Sequence, residues 1–267
     1  MRNRLLHILN MRRRHFVKAS YWRGHGVHSP YVFHLVRDVI AVRKSDEATE
    51  SAVRRYRRTV MSDKSVVRVV SLGAVVRPEL TTTVGAVARK AGTDLKYGLL
   101  LSRLAKDVNP QGILELGTST GLSAASMAIA CPESEVVSIE GCGDLAETTR
   151  RNMVRMGIDN VRVESCDMDR DLERCIGLLP GGRVRMAFVD ANHSEDPTWR
   201  YFETIMSHRD DDFCMIVFDD IYWSEGMTKA WNRIAADPRV MTSIELPQMG
   251  IAIWRRGCQK EHYMLRF

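Results

Sequence analysis

Carboxylates recur in this chain where a predicted strand gives way to a loop. They are Glu115, Glu140, Asp167, Asp190 and the pair Asp219-Asp220, with His193 close behind Asp190. Oxygen acceptors of this kind can hold sugar hydroxyls, an amino group or a hard cation, and an imidazole near neutral pKa can move a proton. Taken singly, each acid is as well explained as a turn or helix cap. Taken together they converge, because in open α/β sheets ligands sit beyond the carboxyl ends of the strands. The densest local signal is Gly117-Thr118-Ser119-Thr120-Gly121, a turn of small residues between the apolar run 113–116 and the Ala- and Met-rich stretch 122–130. Strand, glycine turn and helix form a nucleotide-binding element. Its glycines allow close backbone approach, and the helix start offers unpaired N–H groups. Glu140 lies 19 residues beyond Gly121 at the end of the next strand, placed for a ribose diol.

The elements that must position these residues follow from periodicity. From Gln111 onward strands alternate with helices, the pattern of a mostly parallel sheet covered on both faces. Strands are predicted near 112–116, 135–139, 160–164, 185–190 and 213–219. Segments 240–246 and 251–255 read as a terminal hairpin around Pro247-Gln248-Met249-Gly250. Upstream, 31–44, 48–61, 84–89 and 95–108 read as helices, 66–73 as an extended piece and 77–83 as a loop. In residues 1–23, Leu5, Leu6, Ile8, Leu9, Phe16 and Val17 could line one helical face with Arg12, Arg13 and Arg14 opposite. Such a helix could pack on the body or lie on an anionic membrane surface. His25 and His28 have a spacing that could serve a metal, but no Cys or carboxylate lies nearby in sequence. Ser29-Pro30 reads instead as a helix start. The chain divides into a basic helical extension or lid, 1–94, and a core, 95–267.

Glu115-x-Gly117-x-x-x-Gly121 resembles motif I of the class I S-adenosylmethionine (SAM) methyltransferases. The wording ELGTSTGLSA is especially similar to the catechol and caffeoyl-CoA O-methyltransferase branch. The resemblance covers about residues 95–256 and implies a Rossmann-like α/β fold. Its seven-stranded methyltransferase sheet would carry helices on both faces. It also implies SAM as cofactor, with Glu115, Gly117, Thr118, Ser119, Gly121, Glu140, Asp167 and Asp190 around it. Glu140 would take the ribose, Asp167 the adenine amino group, and Glu115 or neighbouring turn groups the methionyl ammonium. Ala187-Phe188-Val189-Asp190-Ala191-Asn192-His193 and Val217-Phe218-Asp219-Asp220-Ile221-Tyr222-Trp223 resemble the acceptor-side segments of the cation-dependent enzymes. Asp190, Asp219 and Asp220 would then be the Mg²⁺ positions, the metal being one of two readings of these acids. Asp220 stands where that branch has Asn, and His193 where it has its catalytic Lys. His193, with Asp190, becomes the candidate base, or else a cap on the following helix. Tyr222, Trp223 and Trp231 could wall an acceptor, although Trp231 fits a packing role better. The arm around His25-Gly26-Val27-His28-Ser29-Pro30, with Lys96-Tyr97-Gly98, is similar to a bacterial group of class I methyltransferases.

Charge is unevenly spread. The chain carries +6 overall, yet residues 1–70 hold 16 Lys and Arg against 5 Asp and Glu, so the remainder is acidic. A basic arm on an acidic body suits an anionic partner, a membrane surface or nucleic acid, or is simply a solvated helical surface. Cysteines at 131, 142, 166, 175, 214 and 258 form no C-x-x-C pair and read as thiols in a reducing cytoplasm. No apolar run approaches the ~18 residues of a membrane span. A homodimer is compatible with these features. Three functions remain open: methyl transfer from SAM to a hydroxyl of a small molecule, RNA methylation using the basic arm, and SAM binding without catalysis.

Overall fold

Apolar runs bounded by turn residues, alternating with amphipathic segments, build a sheet covered by helices. The computed structural model describes residues 2–19, 27, 29–42, 46–70 and 79–267. In chain order come α1 (Arg2–Lys18), α2 (Pro30–His34, continued by a π-helical stretch Leu35–Ile40), α3 (Glu47–Met61), β1 (Val66–Val69) and β2 (Leu80–Thr83). Then follow α4 (Val84–Ala91), α5 (Leu95–Val108), β3 (Gly112–Leu116), α6 (Leu122–Ala130), β4 (Glu135–Glu140), α7 (Gly143–Arg155) and β5 (Val161–Ser165). The rest comprises α8 (Met168–Ile176), β6 (Met186–Val189), α9 (Glu195–Ser207), β7 (Phe213–Phe218), α10 (Glu225–Ala236), β8 (Thr242–Glu245), β9 (Gly250–Arg255) and β10 (Glu261–Met264). Among the described residues no helix is long and apolar enough to cross a membrane.

The mostly parallel main sheet has eight strands, one more than expected. The addition is β10, which runs parallel to β8, Glu261 opposite Thr242. Its four residues, Glu-His-Tyr-Met, lack the apolar alternation that betrays a strand in sequence. The expected hairpin is present, β8 lying antiparallel to β9 and β9 antiparallel to β7. The segment 77–83 departs from its loop expectation. Its Thr-rich end, β2, pairs antiparallel with β1, with Val66 opposite Thr83, as β-branched residues favour. Residues 71–78 lie outside the described part, as do His25 and His28. Ser29 caps α2 as expected, its hydroxyl accepting the Val32 N–H at 3.4 Å.

The chain forms two compact units, residues 1–41 with 184–267, and residues 42–183. In the second, β3, β4 and β5 are parallel, with Leu114 opposite Val137 and Ser138 opposite Val163. Tyr56 on α3 is buried and donates to the Thr120 carbonyl at 3.3 Å, and Asn152 on α7 donates to Asp63 at 3.2 Å. Residues 46–70 are thereby bound to the glycine turn and to α7.

In the first unit every residue of β6 and β7 is buried, as expected for strands covered on both faces. Trp231 on α10 is fully buried against Phe218, ring centroids 6.2 Å apart, which makes it a core residue and not an acceptor wall. Tyr222 is buried too and donates to Glu245 at 2.5 Å. Helix α1 turns the expected arrangement around. His15 is its buried residue, one ring nitrogen 2.8 Å from the Leu265 carbonyl and the other 3.3 Å from the Tyr222 hydroxyl, while His7 meets Thr228 at 3.1 Å. Leu5, Leu6, Leu9, Phe16 and Val17 point outward with the arginines.

Gly250 tests the tightness of this core. A Cβ there would come within 2.5 Å of the Trp231 ring. Gly250→Ala is expected to cost about 1–3 kcal/mol through overpacking, read as a lower midpoint in chemical denaturation. An unchanged midpoint would mean that the indole yields freely.

Candidate active site

The glycine turn is locally strained. Gly117, Ser119 and Gly121 all have positive φ, at 96°, 48° and 75°. Ser119 is a residue type that seldom adopts this conformation. Hydrogen bonds explain its persistence. The Gly117 and Thr118 N–H groups both donate to the Ile139 carbonyl, at 3.0 and 3.1 Å, and the Ser119 N–H donates to Glu140 Oε2 at 2.7 Å. Thr149 on α7 donates its hydroxyl to the Ser119 carbonyl at 2.9 Å. The Gly121 Cα is crowded by protein, since an added Cβ would lie 2.7 Å from Thr149 and Met153 and 2.8 Å from the Tyr56 hydroxyl.

Glu140 closes β4 and remains partly exposed. Its other oxygen accepts the Cys142 N–H at 2.8 Å. Helix α6 has no side-chain cap, leaving the N–H groups of its first turn aimed past the glycine turn. Asp167 is exposed at the start of α8, where it caps the helix by accepting the Asp169 N–H at 3.0 Å.

Two of the expected cofactor residues are placed differently. Glu115 is fully buried beneath the turn, where its carboxylate accepts the Ser138 hydroxyl, which itself lies 2.5 Å from the Thr118 hydroxyl. Glu115 and the Thr118 side chain therefore tie β3 and the turn to β4. Ser138, Thr149 and Tyr56 carry no sequence signal for this work, since small polar and aromatic residues are common in such elements.

In the other unit, β6 and β7 end in acids as expected. Asp190 pairs with His193, Oδ1 to Nε2 at 3.3 Å, both side chains being largely covered. Asn192 and Asp220 adopt the left-handed conformation, with φ 57° and 51°, bending the chain sharply after each strand. Asp219 is buried, and its Oδ1 accepts from the Asp220 N–H at 2.9 Å and the Gln248 amide at 3.1 Å. His193 does not cap α9. Ser194 occupies the cap position, and the His193 ring lies 6.3 Å from that of Trp223. The Arg4 guanidinium of α1 stacks over Trp223 at 4.2 Å. Gln248 and Arg4 were not among the expected site residues, and nothing in a hairpin turn or a basic helix would mark them.

The electrostatics of this cluster are collective. Burial pulls the His193 pKa down, but the hydrogen bond and charge of Asp190, joined by Asp220 and Asp219, outweigh it and raise the pKa to about 9. Burial, with Asp190 and Asp220 beside it, pushes the Asp219 carboxyl well above its usual range. Burial also raises Asp220, against the opposing charges of His193, Arg12 and Arg4. The ring is thereby biased toward the imidazolium form, with the Asp190 side chain beside it. Among the described residues no group of three His, Cys, Asp or Glu side chains has the geometry to hold an ion, and Asp219 Oδ1 is engaged by two donors.

Acid-tipped parallel strands, a glycine turn after β3 and a terminal antiparallel pair define the class I methyltransferase fold. Residues 114–221 match the family described as "Methyltransferase domain", bearing out the resemblance read from motif I. Solved structures show the same fold. The O-methyltransferase TomG from Streptomyces achromogenes, in complex with SAM, is 20% identical, with a TM-score of 0.54 over 83% of this chain and 95% of its own. An O-methyltransferase from Bacillus cereus in complex with SAH is 19% identical, with a TM-score of 0.54 over 85% and 97%. Cofactor-bound Rv0187 from MTB is 18% identical, with a TM-score of 0.55 over 82% and 94%. No curated protein matches in sequence.

The raised His193 pKa links pairing to stability. Its contribution is fully present below the unfolded value of 6.5 and is lost as pH rises through about 9. By NMR, the wild-type ring is expected to titrate near 9 and to move toward 6.5 in Asp190→Asn. A wild-type ring titrating near 6.5 would dissolve the pairing.

Proposed function

We propose that this methyltransferase takes SAM as methyl donor and a hydroxyl of a small molecule as acceptor. The observation that carries the reading is Glu140. Its carboxylate ends β4 and grips the Ser119 N–H at the rim of the strained turn, the place from which an acid reaches a ribose diol in such folds. The left-handed turn and the uncapped start of α6 suit the rest of a nucleoside carrying an amino acid. Asp167, exposed beyond β5, is the candidate partner for an adenine amino group. Glu115 and Thr118 serve by holding the turn in shape. The SAM and SAH named in the TomG and Bacillus cereus complexes support the same assignment.

Bound SAM supplies an electrophilic methyl on a sulfonium. The chain's part is to hold the acceptor oxygen in line at about 3 Å and take its proton. Asp190 and His193 are the proposed proton-handling pair. Neutral His193 accepts the hydroxyl proton and becomes the imidazolium that Asp190, Asp219 and Asp220 stabilise. A base of such high pKa is strong but scarce at neutral pH, so turnover should climb with pH. Trp223 offers one aromatic face for the acceptor.

Glu140→Ala is expected to weaken SAM binding by roughly 1–3 kcal/mol through loss of a charge-assisted hydrogen bond. Titration calorimetry reads this, and unchanged affinity would remove Glu140 from the site. Turnover in wild type should rise with pH to half its maximum near pH 9, with the limb shifted to lower pH in Asp190→Asn. A flat profile from pH 6 to 9 would exclude His193 as the base. Excess EDTA should leave turnover unchanged, and a loss that Mg²⁺ restores would overturn the metal-free reading.

A further inference from the structure

Helix α1 has two faces of unlike chemistry. Its inner face is engaged: His15 is buried, bonded to Leu265 and facing Tyr222, and His7 reaches Thr228. Its outer face is apolar and cationic together. Leu5 is 60% exposed, Leu9 55% and Phe16 65%, and at 100° per residue these three lie on one line along the helix. Leu6 and Val17 lie beside that line, also exposed. Arg12 and Arg13 flank it, and Arg266 stacks on the Phe16 ring at 4.8 Å. The helix contains no acid. Helix formation and docking do not require this stripe, because the histidine face already holds α1 to its unit.

Three occupants would cover exposed apolar side chains, and charge separates them. A second copy of the chain would press arginines against arginines. A nucleic acid would satisfy the arginines and leave the Leu5, Leu9 and Phe16 side chains in water. A bilayer bearing anionic headgroups answers both demands. Leucine and phenylalanine enter the acyl boundary, while long arginine side chains reach back to phosphate. We propose that α1 is an interfacial helix whose outer face, Leu5, Leu9 and Phe16 with Arg12 and Arg13, seats this protein on an anionic phospholipid membrane. The proposal stands independently of the methyl acceptor.

The test is co-sedimentation of the full chain with vesicles of phosphatidylcholine alone and of phosphatidylcholine with about one-third phosphatidylglycerol. Binding is expected to the anionic vesicles and not to the neutral ones, weakening with salt. Leu9→Ser with Phe16→Ser should lower partitioning about tenfold or more through lost apolar burial. Arg12→Gln and Arg13→Gln should each lower it about fivefold. Leu9, Phe16 and Arg13 are exposed, so circular dichroism melts of those variants should match wild type, whereas Arg12 also acts on Asp220. Three results would overturn the proposal. The first is wild type left in the supernatant with anionic vesicles at low salt. The second is a serine variant that binds as well as wild type, which would assign the face to a purely electrostatic partner such as RNA. The third is a dimer in light scattering that the serine variant converts to monomer.

Discussion

One backbone conformation governs the unit formed by residues 42–183: a five-residue turn with Gly117, Ser119 and Gly121 in the left-handed region. Such a path is unfavourable for a residue with a side chain, so it persists only where surrounding groups fix it. They come from several elements at once. The end of β4 supplies the Ile139 carbonyl and the Glu140 carboxylate, α7 supplies Thr149, and α3 closes over Gly121 with Tyr56. Below, the Glu115–Ser138–Thr118 hydroxyl chain fastens β3 to β4 without exposing a charge to solvent. Glu140 carries that scaffold out to the rim of the turn, accepting the Ser119 and Cys142 N–H groups on its two oxygens.

The unit that carries β6 and β7 obeys a different constraint, the difficulty of keeping several carboxylates ionised in a covered space. Asp190, Asp219 and Asp220 are brought near one another by the ends of β6 and β7, and His193 is drawn into the charged form among them. Gln248, from the turn between β8 and β9, orients Asp219 from the far side. The terminal antiparallel strands thus reach the acid cluster through one amide. Arg4 and Arg12 on α1 add positive charge beside Asp220. The result is a set of groups whose protonation shifts together.

Much of this was legible in the sequence. Strand β3 coincides with its expected range, because Ile-Leu-Glu-Leu beside a glycine turn has few other solutions. Strand β7, six buried residues, was equally plain. Acids at strand ends marked the correct loops, yet their individual roles were not encoded locally. Glu115 and Glu140 look alike in sequence, and only the strand register puts one under the turn and the other at its rim. Strand β10 escaped because a short polar edge strand depends on its neighbour more than on its own pattern. The facing of α1 was inverted for a related reason. Apolar side chains usually face the core, and here two histidine rings with specific partners took that place.

That histidine clasp has a temporal meaning. His15 bonds to a carbonyl 250 residues further along the chain, so the helix translated early gains its seat only when β10 and the residues after it have left the ribosome. Contacts so distant in sequence close late. Throughout that interval a short helix, apolar and basic on one face, has no seat on the rest of the chain.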